Sequence, residues 1–454
     1  MLARVKTKTA KNTLATAVQT ALLLGLAFST LDASAVGETS RVSVSSRNRQ
    51  SNGTSWHPAI SADNRYIVFQ SDADNLVPND TNKTIDIFVH DRQTKRTRRV
   101  SVASDGSQSK PSWTNQATIS GNGRFVAFTS DASNLVADDK NSAPDVFVHD
   151  LRTKQTTRAS VSSDGIEAIG GDWKGHPSLS ADGRYVAFLS LASNLVEGDT
   201  NNNEDVFVHD RRTKKTIRAS VASDGSQGNG LCFKLTLSAN GRFVAFQSES
   251  TNLVKGDTNK QADVFVHDLV TKETTRVSVA SDGSQANNGA WQPAISADGR
   301  YVAFWSSASN LVKGDDNFSD DVFVHDRKTG KTTMVSVATD GTKGNGTSNR
   351  PTISHDGRYV GFTSSASNLA TNDDNGVDDV FVHDRVKGTT KLVSVSLDGT
   401  SGTGPFSQIN ITGSRDAILS PDGRYMAFRS LVTDLVPNDT NDLIDVFFRD
   451  VNAK

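Results

Sequence analysis

The chain has one cysteine, Cys232, in 454 residues, so no internal disulfide can form and packing alone must hold the fold. Such a lone residue reads as a small buried apolar side chain. Beyond the first 35 residues there is no long apolar run, which excludes a membrane-spanning helix from the body of the chain. Net charge is only −2, without the basic surplus that nucleic-acid binding requires. G-x-S-x-G, zinc-ligand and phosphate-loop motifs are all missing, so the common local signatures of hydrolysis and nucleotide use are absent.

What is present begins with an address. Arg4, Lys6, Lys8 and Lys11 precede an apolar stretch from Leu14 to Phe28, and Ala33-Ser34-Ala35 follows as a small-x-small cleavage site. Residues 1–35 therefore read as a secretory signal, which places the mature protein in the periplasm or outside the cell. Its removal takes away four positive charges and Asp32 and leaves residues 36–454 near −5.

One phrase then recurs seven times. DIFVHD starts at Asp86, DVFVHD at Asp145, Asp205, Asp263, Asp321 and Asp379, and DVFFRD at Asp445, a period of roughly 58 residues. Each unit divides into four short strands. In the unit from Pro293 these are Pro293 to Ser296 (a), Tyr301 to Trp305 (b), Asp321 to His325 (c) and Thr333 to Val337 (d), with an Asp298-Gly299 turn between a and b. The last unit stops after its c strand, and the orphan Arg41-Val-Ser-Val-Ser45 reads like the d strands at Arg99 and Arg276. The expectation is an all-β, seven-bladed β-propeller of four-stranded antiparallel blades, its ring closed by the N-terminal strand (one strand from the start, three from the end). A closed ring with no open edge is expected to be a monomer.

SADGRYVAF and SPDGRYMAF followed by DVFVHD resemble the WD-repeat-like units of TolB-type bacterial propellers over residues 40–454. That resemblance implies the propeller fold and export. TolB itself differs in having an α/β domain before a six-bladed propeller.

The two ends of such a ring differ chemically. At the short-turn end Arg65, Arg124, Arg184, Arg242, Arg300, Arg358 and Arg424 each open strand b, and the spacing predicts a cross-strand ion pair with the Asp that closes strand c, as between Arg300 and Asp326. At the long-loop end every b–c loop carries D-x-N-x-x-x-D: Asp80/Asn82/Asp86, Asp139/Asn141/Asp145, Asp199/Asn201/Asp205, Asp257/Asn259/Asp263, Asp315/Asn317/Asp321, Asp373/Asn375/Asp379 and Asp439/Asn441/Asp445. These oxygens suit Ca²⁺, or else form Asx-turns that order the loop. A carboxylate further along strand c, such as Asp210, lies roughly 16 Å from Asp205 and cannot share its ion.

The d–a connections vary most. They place Trp56, Trp113, Trp173, Phe233 and Trp291 before strand a, with Phe406 in the longest one, where they could meet a sugar or peptide or else plug gaps between blades. His57, His176 and Arg350 break the repeat near the channel mouth, as do Asp172 and Lys234. The six repeated histidines (His90, His149, His209, His267, His325, His383) sit on strand c, too far from the axis to converge on one metal, and read as structural. The functional expectation is an exported, non-catalytic scaffold that recognises an envelope or extracellular protein or glycan on its long-loop face, with Ca²⁺ as a stiffener. The alternative is a hydrolase or lyase acting on a polysaccharide or peptide at the channel mouth.

Overall fold

The computed structural model describes residues 39–110, 112–170, 176–402 and 413–452. The signal read at residues 1–35, and with it Asp172, Trp173 and Phe406, lies outside them. The described residues form seven four-stranded antiparallel sheets. Blade 5 shows the pattern: strand a is Ala290–Ile295, b is Tyr301–Ser306, c is Asp321–Asp326 and d is Lys331–Met334. Asp298-Gly299 makes the a–b turn at a glycine φ of 78°.

The seventh sheet combines Ser414–Leu419, Tyr425–Ser430 and Asp445–Asp450 with Ser40–Arg41 from the N-terminus. Ser40 lies opposite Phe448 and Arg41 opposite Phe447, and the Val42 N–H donates to Val446 O at 2.8 Å. Ring closure is thus as the orphan segment predicted. The d strands are shorter and earlier than expected: blade 1 pairs over Arg96–Arg99 and blade 4 over Thr274–Arg276. In the Val-Ser-Val that follows, Val100 still donates to Ile87 O at 2.8 Å, and the ladder ends at Ser101, whose side chain turns inward. Ser101 Oγ donates to Asp86 Oδ1 at 2.5 Å and accepts from the Ile87 N–H at 3.0 Å, so a side chain replaces the backbone partner.

The core is distributed as seven clusters, each spanning two neighbouring blades. One joins Val264, Val266 and Val277 of blade 4 to Val302, Phe304 and Phe323 of blade 5. Another joins Val42, Val446 and Phe448 to Ile67, Phe69 and Phe88, which welds the seventh blade to the first. Strands b and c are buried on both faces, which explains their continuous apolar spelling.

The polar repeats tie strands together within a blade and link each blade to the one before it. Arg300 grips Asp326 through Nε at 2.9 Å and Nη2 at 2.7 Å, and that fork holds Asp326 well below the usual carboxylate range. All seven blades carry this pair. Each repeated histidine places Nδ1 2.8–2.9 Å from a d-strand threonine hydroxyl; at His325 the partner is Thr332, which donates at 2.5 Å to Val279 O of the preceding blade. Burial first pushes His90, His149, His209, His267 and His383 down to about 4, so these rings are neutral structural links. In the seventh blade Arg449 reaches Thr39 Oγ1 at 2.7 Å instead.

Candidate functional site

Strand a is the innermost strand, and it is not regular. In blade 1 Trp56 faces Gln70 while Ala59 faces Val68, so one extra residue is inserted between them; the same shift recurs in five other blades. At this place in strand a the backbone is left-handed in six blades: φ is 46° at His57, 44° at Gln116, 41° at His176, 49° at Gln292, 53° at Arg350 and 51° at Asp416. None of these is glycine, and such geometry costs about 1–3 kcal/mol per residue. Proline follows four of them, at 58, 177, 293 and 351. Lys234 holds the corresponding place in blade 4. These seven residues line one cavity of about 380 Å³ on the axis, near the long-loop end where strand a begins.

Its chemistry is asymmetric. Asp416 is the one acid of the ring and is gripped by Arg350 Nη1 and, at 2.6 Å, by Arg429 Nε from strand b. His57 Nε2 stands 3.7 Å from the same carboxylate. The channel wall desolvates His57 and pushes it down to about 4, so it is neutral at physiological pH, and its Nδ1 has no hydrogen-bond partner. Across the ring Lys234 Nζ lies 3.0 Å from His176 Nε2. Arg415 is neutralised by Asp378 at 2.6 Å. Lys234 and Arg350 in the lining, with Arg429 paired to Asp416 from strand b, therefore leave a positive excess at the cavity. Gln292 is oriented by Trp305, whose Nε1 donates to its Oε1 at 3.1 Å.

Of the residues singled out in the sequence, His57, His176, Lys234 and Arg350 meet in this cavity. Trp56, Trp113, Phe233 and Trp291 are half-buried and do not line it. Trp291 instead stacks on Trp305 at 4.4 Å. Gln116, Gln292, Asp416 and Arg429 were not anticipated. The first three could have been found by aligning the third residue of strand a, which takes five residue types in seven copies.

The D-x-N-x-x-x-D loops lie farther out. Asn141, Asn201, Asn259, Asn317, Asn375 and Asn441 each accept from the backbone N–H two residues on and donate to the final Asp, so the Asx-turn is real. In blade 1 Asn82 Nδ2 likewise donates to Asp86. In five blades an arginine also sits between the two carboxylates: Arg99 on Asp80 and Asp86, Arg158 on Asp139 and Asp145, Arg218 on Asp199 and Asp205, Arg276 on Asp257 and Asp263, and Arg41 on Asp439 and Asp445. Asp139, Asp145 and Glu167 bring three carboxylates within 4.8 Å of one another, an acidic cluster compatible in spacing with a metal. Arg158 occupies it, at 2.7 Å from Glu167.

A larger cavity of about 1120 Å³ lies on the outer flank of blades 6 and 7, lined by Leu392, Leu397 and Arg449 among others. Two residues that break the repeat line it, the apolar Leu392 and Arg449, which is already bonded to Thr39, whereas seven converge on the axial cavity, which is the stronger candidate despite its smaller size.

No protein-family model matches this chain, and no curated protein matches it. Solved structures share its fold. An oligogalacturonate lyase in complex with manganese is 12% identical, the match covering 92% of this chain and 94% of that one with a TM-score of 0.56. The oligogalacturonate lyase of Vibrio parahaemolyticus is 11% identical over 92% of this chain and 97% of its own, with a TM-score of 0.54. TolB from Acinetobacter baumannii is 15% identical over 67% of this chain, with a TM-score of 0.39, and the match spans only 58% of that TolB. At such identities the likeness concerns the propeller fold alone. Among the described residues no helix is long and apolar enough to cross a membrane.

Proposed function

We propose that this protein is an exported, periplasmic or secreted, monomeric binding propeller that captures a carboxylate-bearing glycan in the mouth of its axial channel. The observation carrying this reading is the ring of seven non-equivalent side chains with a surplus of cations, set on a strained bulge inside an otherwise repetitive fold. Strain kept at the same position in six of the seven blades, with different residues there, is what a built recognition surface requires. The test is calorimetry against oligogalacturonate and, for comparison, a neutral oligosaccharide. Binding of the acidic probe alone, weakened by salt and by Arg350→Ala, is expected; equal binding of both probes would remove the reading.

A second reading, a polysaccharide lyase or hydrolase, is favoured by one feature. His57 is a neutral imidazole on the channel wall beside three cations, which is the arrangement of a base near a stabilised anion. Turnover of an acidic polysaccharide that disappears in His57→Ala or His176→Ala would establish it.

A further inference from the structure

The repeat itself shows where a loop has lost its built-in cation. The clamping arginine always stands opposite the phenylalanine of strand c: Phe88 faces Arg99, and Phe147 faces Arg158. In blade 5 that place is Met334, opposite Phe323, and in blade 6 it is Leu392, opposite Phe381. Blade 5 compensates in part, because Lys343 reaches Asp316 at 3.8 Å and bears on Asp315 and Asp321. The residue of blade 6 that corresponds to Lys343 is Ser401, by the equivalent bridges Val337–Lys343 and Val395–Ser401. Blade 6 thus keeps both carboxylates and has lost both cations.

The consequences are visible at the atoms. Asp379 is fully buried; its Oδ1 accepts from the Ser394 hydroxyl, and its Oδ2 accepts from Asn375 Nδ2 at 2.8 Å. Asp373 is 8% exposed, and its Oδ2 has no hydrogen-bond partner. Among the described residues no Lys or Arg pairs with either carboxylate, and the neighbouring stretch 403–412 contains neither residue type. The other charged groups near the pair are Asp374 and Asp378, both acidic, and Asp378 is already committed to Arg415. A buried, unpaired carboxylate is among the costliest groups to leave uncompensated.

We infer that the sixth blade binds one Ca²⁺ between Asp373 and Asp379, in the place that a guanidinium fills in the five clamped blades. The donors are all oxygen: two carboxylates, with loop carbonyls and water to complete the shell. That is the set a hard cation takes, and calcium tolerates its irregularity better than magnesium. With two protein carboxylates, affinity falls in the weak range of extracellular calcium sites, on the order of 0.1–1 mM. The site lies in an outer loop and is independent of the channel ligand.

The test uses the mature chain stripped with chelator and titrated with CaCl₂ alone, followed by calorimetry and thermal melting. Wild type is expected to bind one ion and to melt higher when loaded. Asp373→Asn lowers the affinity at least tenfold. Leu392→Arg, which restores the repeat's own clamp, abolishes binding and melts without calcium at least as high as loaded wild type. Undiminished binding in Leu392→Arg would place the ion elsewhere and overturn the inference. So would an absence of heat and of any melting shift up to about 10 mM calcium, well above the weakest sites of this kind.

Discussion

Strand c and the third residue of strand a belong to the same blade yet follow opposite rules. In strand c six of seven copies spell D-V/I-F-V-H-D, and each of those side chains is tied to a neighbour: the first Asp to a serine, the Phe to the Phe of strand b at 5.8–5.9 Å, the His to a threonine, the last Asp to an arginine. The strand-a position carries His57, Gln116, His176, Lys234, Gln292, Arg350 and Asp416, facing a cavity. Repetition accompanies packing, because every blade must present the same surface to its neighbour. Variety accompanies the axis, where seven residues meet one space and nothing requires them to match.

The comparison can be broken hardest at closure. Deleting residues 39–45 exposes the Val446–Phe448 edge and removes Val42 and Val44, which are 2% and 7% exposed. A loss on the order of 5 kcal/mol is expected from two buried valines and their backbone bonds, read by urea unfolding. Unchanged stability would mean that the ring does not depend on the N-terminal strand. Next comes Gly299→Ala, where φ is 78° and an added Cβ would lie 2.1 Å from Phe243 of the preceding blade. About 2–3 kcal/mol should be lost. Asn64 fills the same place in blade 1 at φ 59°, so Asn64→Gly should change stability little. At the axis the readout is affinity: Arg350→Ala should cost about tenfold for a carboxylated saccharide, about 1.4 kcal/mol.

The smallest effect concerns pH. Burial, reinforced by neighbouring carboxylates, pushes Asp373 up to about 6 and Asp379 up to about 7, from an ordinary value of 3.8. The folded state therefore holds protons that the unfolded chain releases. Their contribution is complete below the unfolded value and disappears as pH rises through 6 and 7. Metal-free wild type should thus lose melting temperature between about pH 4 and pH 7, and Leu392→Arg should lose less. Parallel curves would show that the sixth blade is not special.

Several contacts were legible before any coordinates. The Arg300–Asp326 pair followed from both residues lying at the same end of adjacent strands, and the histidines' structural role from their distance to the axis. Four channel residues were found because they break the repeat. The bulge itself was hidden: nothing in SWHPAI announces a left-handed histidine, because the insertion is defined by register with strand b. The arginine clamp was hidden for the same reason. Arg99 is 19 residues from Asp80 in sequence and 2.8 Å from it in space. The d strands were placed too late because Val-Ser-Val looks like a strand, whereas its serine leaves the ladder to serve Asp86.

By itself the sequence determined the number of blades, their strand order and the closing strand, since these depend on periodicity and on where the pattern starts and stops. Tertiary structure alone decided which side chains share the axis, which loops carry their own cation, and which pair of carboxylates was left without one. Those facts depend on distances across strands and between blades, and a one-dimensional repeat fixes neighbours along the chain without fixing what stands opposite them.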